Sequence, residues 1–300
     1  MRHIPVLLNE VLEGLNLKKN SQVVDCTLGD AGHSEKILEK IGPKGKLLGI
    51  DADPESLLRA QNNLYRFKDQ TILVRDNFVN LAKVVGENKI APVDAVLMDL
   101  GWSTPQFKER GRGFSFETDE PLDMRYGAET GETAADILNQ YTLPELINIF
   151  RYYGEEKLSA EIAKLIVDKR SESPISHSGQ LTEIILQAYR AKLNTNKEIP
   201  WVGGTHPATK VFQALRIAVN KELEVVRQAL PQALEVLNVG GRLAVITFHS
   251  LEDRIVKQFF IKYNNKILKI VNKKPLVASA LEIKNNPSSR SAKLRIVEKI

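Results

Sequence analysis

Three apolar runs in this chain each close on an aspartate. The first, Val23–Thr27, opens the loop Asp25-Cys26-Thr27-Leu28-Gly29-Asp30-Ala31-Gly32-His33-Ser34. Glycines let backbone approach a ligand closely, and the N-terminus of a following helix offers free N–H groups. Against the dinucleotide pattern GxGxxG, Gly29 and Gly32 fit while Thr27 takes the first place. Against the acidic-x-Gly-x-Gly-x-Gly loop of methyltransferases, Asp25 and Gly29 fit, and Thr27 and Ala31 replace two glycines. A tight turn with no ligand fits the same residues. The second run, Lys46–Asp51, ends 19 residues past Gly32. A carboxylate there can accept hydrogen bonds from both ribose hydroxyls, so an adenosine-containing cofactor is expected. Asp53, directly before Pro54, reads instead as a helix cap. A nicotinamide dehydrogenase and an S-adenosylmethionine enzyme both satisfy these residues.

The third of these runs, Val93–Leu100, leads into Asp99-Leu100-Gly101-Trp102-Ser103-Thr104-Pro105-Gln106. An acid followed by Gly, small hydroxyls and Pro resembles the loop that amino-methylating enzymes set beside the target nitrogen. It would equally serve to turn the chain. Cys26 ends a strand, where a small, buried, inert thiol is expected rather than a nucleophile. No metal is expected, because His3, His33, His177, His206 and His249 show no ligand spacing.

The elements that must position these residues alternate. Helical spacing covers Ser34–Ile41, a helix opens at Pro54, Thr71–Val74 reads as a strand and Phe78–Val85 as a helix. Such alternation implies a doubly wound parallel sheet, Rossmann-like in class. The pattern then changes. Gly101–Gly131 is rich in Gly, Pro and charge, Thr133–Lys192 is helical only, and Asn194–Pro207 looks like a linker. Lys210–Leu237 reads as one long helix ended by Gly240–Gly241. Strands Arg242–Phe248, Ile267–Val271 and Leu294–Ile300 follow, with a helix over Leu251–Tyr263 and a polar loop over Asn285–Ser291. The expected organisation is a sheet domain built from residues 1–106 and 206–300, split by a helical insertion over 107–205.

Composition narrows the partners. The chain is 43% hydrophobic and 26% charged, so it needs neither disulfides nor a structural metal to build a core. It contains no apolar run of membrane length, and Asn9, Glu10 and Glu13 interrupt any leader-like pattern, so a soluble cytoplasmic protein with no membrane partner is expected. Residues 1–150 hold 17 basic against 23 acidic side chains, and residues 151–300 hold 25 against 14. Residues 254–299 alone carry 12 basic and 2 acidic groups. A polyanionic partner fits this asymmetry, as does a solvated lysine-rich face.

Longer strings decide between the cofactors. His3-Ile4-Pro5-Val6-Leu7-Leu8, Gly113-Phe114-Ser115-Phe116, Pro121-Leu122-Asp123-Met124-Arg125 and Tyr153-Gly154-Glu155-Glu156 occur in this order. They are followed by His206-Pro207-Ala208-Thr209, Phe212-Gln213-Ala214-Leu215-Arg216 and Phe248-His249-Ser250-Leu251-Glu252-Asp253-Arg254. Asn286-Pro287 and Arg290-Ser291-Ala292-Lys293-Leu294-Arg295 complete the set. From His3 to Arg295 the chain resembles the bacterial ribosomal RNA small subunit methyltransferase H family. That resemblance implies a class I methyltransferase sheet with an inserted all-helical domain for RNA recognition. It also implies S-adenosylmethionine-dependent methylation of N4 of a decoding-centre cytidine in 16S rRNA, with the small ribosomal subunit as the setting.

By position, the family's cofactor contacts fall on Ala31, Gly32, His33, Asp51, Phe78, Asp99 and Gln106. The chain departs from the family at Ala31, where glycine is usual, and at Trp102-Ser103-Thr104, where a small apolar residue and two serines are usual. Phe78 fits against an adenine or in the core. Asp99 fits the cofactor's amino-acid end or the cytosine amine, the resemblance favouring the cofactor. The proton acceptor is unassigned, with Asp99 and His249 as candidates, although His249 also reads as a loop cap. Arg125, Arg216, Arg254, Arg290 and Lys293 are the candidate RNA contacts, and Arg295 fits RNA or a strand partner.

Overall fold

The computed structural model describes residues 4–101, 111–126, 131–197, 199 and 206–300. The chain divides into two compact units, Met1–Ser103 with Leu223–Ile300, and Thr104–Glu222.

The first unit is a seven-stranded sheet: β1 Gln22–Asp25, β2 Lys46–Asp51, β3 Thr71–Arg75, β4 Val93–Asp99, β5 Leu237–Thr247, β6 Leu268–Ile270 and β7 Lys293–Lys299. The spatial order is β3-β2-β1-β4-β5-β7-β6. β1 to β5 pair in parallel, whereas β7 runs antiparallel to both β5 and β6. Strand order reverses between β1 and β4, and ligands of open sheets bind beyond the carboxyl ends of the strands at such a switch. Asp25, Asp51 and Asp99 are the last residues of β1, β2 and β4.

Both faces of the sheet are covered, so central strands are apolar on both sides. Along β4, Val96 and Met98 join one core and Ala95 and Leu97 the other. β5 alternates likewise, with Leu243 and Val245 on the first face and Ala244 and Ile246 on the second. Cys26 lies in the first core, where burial pushes its thiol well above the ordinary range. Helices α1 (Leu8–Gly14), α2 (Gly32–Ile41), α3 (Pro54–Asn63) and α4 (Leu81–Glu87) belong to the N-terminal half of this unit.

In the second unit, helices α5 (Ala134–Gln140), α6 (Leu143–Tyr153), α7 (Ser159–Glu172), α8 (Ser178–Leu193) and α9 (Thr209–Asn220) bury one another's apolar faces. Thr133 with Asp136 and Thr142 with Glu145 form capping boxes that start α5 and α6. The inserted unit therefore extends through α9 to Glu222, beyond the expected residue 205.

The single helix expected over Lys210–Leu237 is two, α9 and α10 (Glu222–Val236). Lys221 adopts φ 50° and ψ 35° between them. One left-handed residue ends a helix without disturbing the apolar spacing, and a lysine there hides a break that glycine would announce. Further on, α11 (Ser250–Tyr263) forms as expected, while the supposed loop Asn285–Ser291 begins at the end of α12 (Ala280–Asn285) and continues as a 3₁₀ turn. No helix among the described residues is long and apolar enough to cross a membrane.

Candidate active site

Past the end of β1, the Cys26 N–H still bonds Leu97 O and the Leu28 N–H bonds Ile50 O as the chain enters the loop. Asp25 is buried, accepts hydrogen bonds from Ser34 Oγ at 2.6 Å and from the Thr27 N–H at 3.1 Å, and thereby ties the loop to the first turn of α2. Burial raises its pKa against those bonds. Thr27 Oγ1 accepts the Asp99 N–H at 2.7 Å, linking the ends of β1 and β4. Sequence reading placed Asp25 in the loop pattern but gave it no task. The Asp…Ser pair nine residues apart, closing one loop, is the signal that could have found it.

Ala31 caps α2 at φ 61° and ψ 33°, a left-handed conformation that costs a side-chain-bearing residue about 1 kcal/mol. Its N–H donates to Leu28 O at 2.8 Å, so the amide expected to face the cofactor is spent within the loop. Gly32 has a different reason to be glycine. A Cβ there would sit 3.2 Å from the Pro5 ring.

His33 is 6% exposed, and its Nε2 lies 2.9 Å from Val6 O. A carbonyl oxygen only accepts, so Nε2 carries the proton. Nδ1 then faces Asp99 Oδ2 at 3.6 Å, outside hydrogen-bond range.

Asp51 receives two backbone donors, Gly29 N–H at 2.8 Å on Oδ2 and Asp53 N–H at 2.9 Å on Oδ1. Burial nevertheless pushes its pKa up to about 6. Asp53 caps α3 through Ser56 N–H at 2.8 Å, as its place before Pro54 predicts. Asp99 is more extreme. Burial, then the charges of Asp25 and Glu252, raise it to about 8, and among the described residues its buried Oδ1 has no hydrogen-bond partner. Gly101, two residues on, holds φ 131° and would drive a Cβ into Phe248 at 2.7 Å. Phe78 begins the 3₁₀ turn before α4, partly buried against the first core.

The sheet thus brings together Ala31, Gly32, His33, Asp51 and Asp99 from three strand ends, while Trp102–Gln106, including the expected contact Gln106, lie outside the described residues. His249 is the N-cap of α11, its Nδ1 accepting the Glu252 N–H at 3.4 Å. Nε2 sits 3.1 Å from Glu252 Oε1, off the hydrogen-bond axis.

The candidate RNA contacts separate. Arg216 forks onto Glu222 at 2.8 and 2.9 Å, and both side chains are about nine-tenths buried. Arg125 forks onto Asp123 at 2.7 Å through both nitrogens. Arg216 therefore serves packing within the second unit. Arg254 and Arg290 are exposed. Lys293 is half-exposed, 3.6 Å from Asp253, and Arg295 is a strand partner that holds Asp253 at 2.6 Å.

A part-buried carboxylate at the end of β4, with one oxygen unpartnered among the described residues, and a second carboxylate ending β2, two strands away, fit a ligand carrying N–H donors and a ribose. S-Adenosylmethionine has both. The family model that matches residues 1–300 describes the MraW methylase family. Ribosomal RNA small subunit methyltransferase H of Clostridium botulinum is 44% identical, over all of this chain and 99% of its own. Its namesake in Dictyoglomus thermophilum is 46% identical over 99% and 96%. A crystallised chain of Clostridium thermocellum assigned as an rRNA-methylase superposes with TM-score 0.50 at 15% identity, covering both chains fully, and so shares the fold. On the family model and these full-length relatives, the chain belongs to the MraW methylase family and is an S-adenosylmethionine-dependent methyltransferase.

Proposed function

We propose that the chain methylates small-subunit rRNA, at the exocyclic N4 of a cytidine in the decoding centre of 16S rRNA. The observation that carries the site is Asp99, a part-buried acid at the switch point whose buried Oδ1 has no hydrogen-bond partner among the described residues. Such a group gains most from a cationic or N–H donor, because its burial penalty is already present. S-Adenosylmethionine supplies an activated methyl on a sulfonium.

The chain's own residues bind and orient. Asp51 accepts the ribose hydroxyls on oxygens that two backbone amides already hold in place. Asp99 takes the amino-acid end, with His33 fixed beside it. The N4 lone pair is delocalised into the pyrimidine, so an in-line approach and an acceptor for the N4 hydrogens supply much of the rate. One N4 proton must leave when the N–CH₃ bond forms. His249, with Nδ1 used as a cap, is poorly placed to take it.

The second unit, and the basic Arg254, Arg290 and Lys293 of the first, hold the rRNA in this reading. The runner-up, a small-molecule methyltransferase, offers no polyanion to the stretch 254–299, which carries 12 basic and 2 acidic groups. Nucleoside mass spectrometry of 16S rRNA from a deletion strain, complemented with wild type or Asp99→Ala, tests the proposal. N4-methylcytidine should vanish on deletion and return only with wild type. Unchanged N4-methylcytidine in the deletion strain rejects it.

A further inference from the structure

The His3–Leu8 string has no role in the chemistry above, yet part of it touches the cofactor loop. Pro5 packs on Gly32, and Val6 O receives His33 Nε2–H. These residues form a strap running into α1. Leu7, completely buried, sits at φ 54° and ψ 35° as the N-cap of that helix, and its side chain makes no cap. A leucine stays in the left-handed region only where its surroundings over-determine it.

The surroundings come from the far end of the sequence. Glu282 Oε1 accepts the Leu7 N–H at 2.7 Å, and Asn286 Nδ2 donates to Ile4 O at 3.0 Å. Both clamps are themselves fixed. Ser279 caps α12 by accepting the Glu282 N–H at 3.1 Å, and Ser288 Oγ donates to Asn286 Oδ1 at 2.6 Å. Leu276 is bridged to Leu294 of β7, which anchors the segment leading into α12 to the sheet. A continuous set of contacts thus runs from α12 through the strap to Gly32 and His33, and His33 faces Asp99.

We propose that Glu282 and Asn286 are positioning residues for cofactor binding, acting through the Ile4–Leu7 strap on Gly32 and His33. The proposal rests on the reading that this loop holds S-adenosylmethionine. Neither residue lies at a strand end, and each gives the strap a single hydrogen bond. Their removal should therefore loosen His33 without dismantling the sheet.

Glu282→Met keeps the side-chain length and removes the acceptor, whereas Glu282→Gln keeps an amide oxygen in its place. Losing one net hydrogen bond predicts S-adenosylmethionine binding weakened about five- to tenfold in Glu282→Met, measured by calorimetry on the full chain. Glu282→Gln should bind like wild type, and kcat at saturating cofactor should hold while KM rises. In a His33→Ala background Glu282→Met should add little, because both act on one contact. The ¹⁵N shifts of the His33 ring should show the Nε2–H tautomer in wild type and a mixture in Glu282→Met.

If Glu282→Met does not fold, Asn286→Asp serves the same test, since it keeps the acceptor for Ser288 and replaces the donor to Ile4 O with an oxygen that repels it. Should His33→Ala itself leave affinity unchanged, the cofactor-site reading fails, and this proposal with it. Should His33→Ala weaken binding while a folded Glu282→Met or Asn286→Asp does not, the site stands and the positioning role is overturned. Additive losses in the double variant, or an unaltered His33 tautomer, overturn it as well.

Discussion

Two regions of this molecule bury acids, and they treat them in opposite ways. In the second unit, Glu222 is 9% exposed and meets the fork of Arg216, with the Tyr126 hydroxyl adding a third donor at 2.6 Å. At the carboxyl ends of the strands, Asp25 is buried and Asp51 and Asp99 are part-buried, and among the described residues none of them pairs with Lys or Arg. A buried acid with its cation is a finished structural joint. One held by amides, or left with an open oxygen, keeps acceptor capacity that a ligand could use. The contrast separates packing from binding where residue type alone does not.

That contrast fails first if the joint is not one. Glu222→Ala should destabilise the chain by about 3–5 kcal/mol, because it strands a buried guanidinium. Chemical denaturation would show it, and a loss below about 1 kcal/mol would make the pair a surface-grade contact. Asp51→Ala should cost less stability, about 1–3 kcal/mol for the amides of Gly29 and Asp53 that lose their acceptor, and weaken S-adenosylmethionine about tenfold or more, two charge-assisted hydrogen bonds being worth about 1.5–3 kcal/mol each. An unchanged dissociation constant removes Asp51 from the site.

Asp99→Asn sharpens the comparison, because it should weaken the cofactor and yet stabilise the ligand-free protein. The folded pKa of about 8 lies above the unfolded value near 3.8. The native state therefore holds a proton that the unfolded chain releases, and the acid's stability contribution, fully present below about pH 3.8, is lost as pH rises through 8. The advantage of Asn should grow from about pH 4 to pH 8 and level off above. A gain of roughly 1–3 kcal/mol at pH 9 is expected from melting curves. A gain that shrinks toward high pH would contradict the raised pKa.

Smallest is Ala31→Gly. Glycine suits φ 61°, so the variant should be about 0.4–1 kcal/mol more stable with cofactor affinity unchanged, since the amide bonds Leu28 O in either case.

Much of the fold was legible. Strand ends at Asp25, Asp51 and Asp99 follow from apolar runs broken by acids and glycine, and β4 and β5 read as buried strands because both faces are covered. The α9–α10 break was not legible, since Lys221 keeps the apolar period while reversing φ. The short 3₁₀ turns and α12 were missed because segments of this size carry no periodicity to read.

By itself the sequence determined which acids would stand at one end of the sheet. That information is local, since each strand carries its own stop signal. Family strings likewise specified the donor and the class of reaction. Tertiary structure alone decided how those acids differ. Asp51 and Asp99 each end an apolar run in the sequence, yet Asp51 is held on two amides while Asp99 Oδ1 has no hydrogen-bond partner among the described residues. Arg216 and Arg290 look equally basic, yet one is spent on Glu222 and the other is exposed. A side chain's charge state and its free lone pairs depend on what packs around it, and that surrounding includes residues as remote as Glu282 from Leu7.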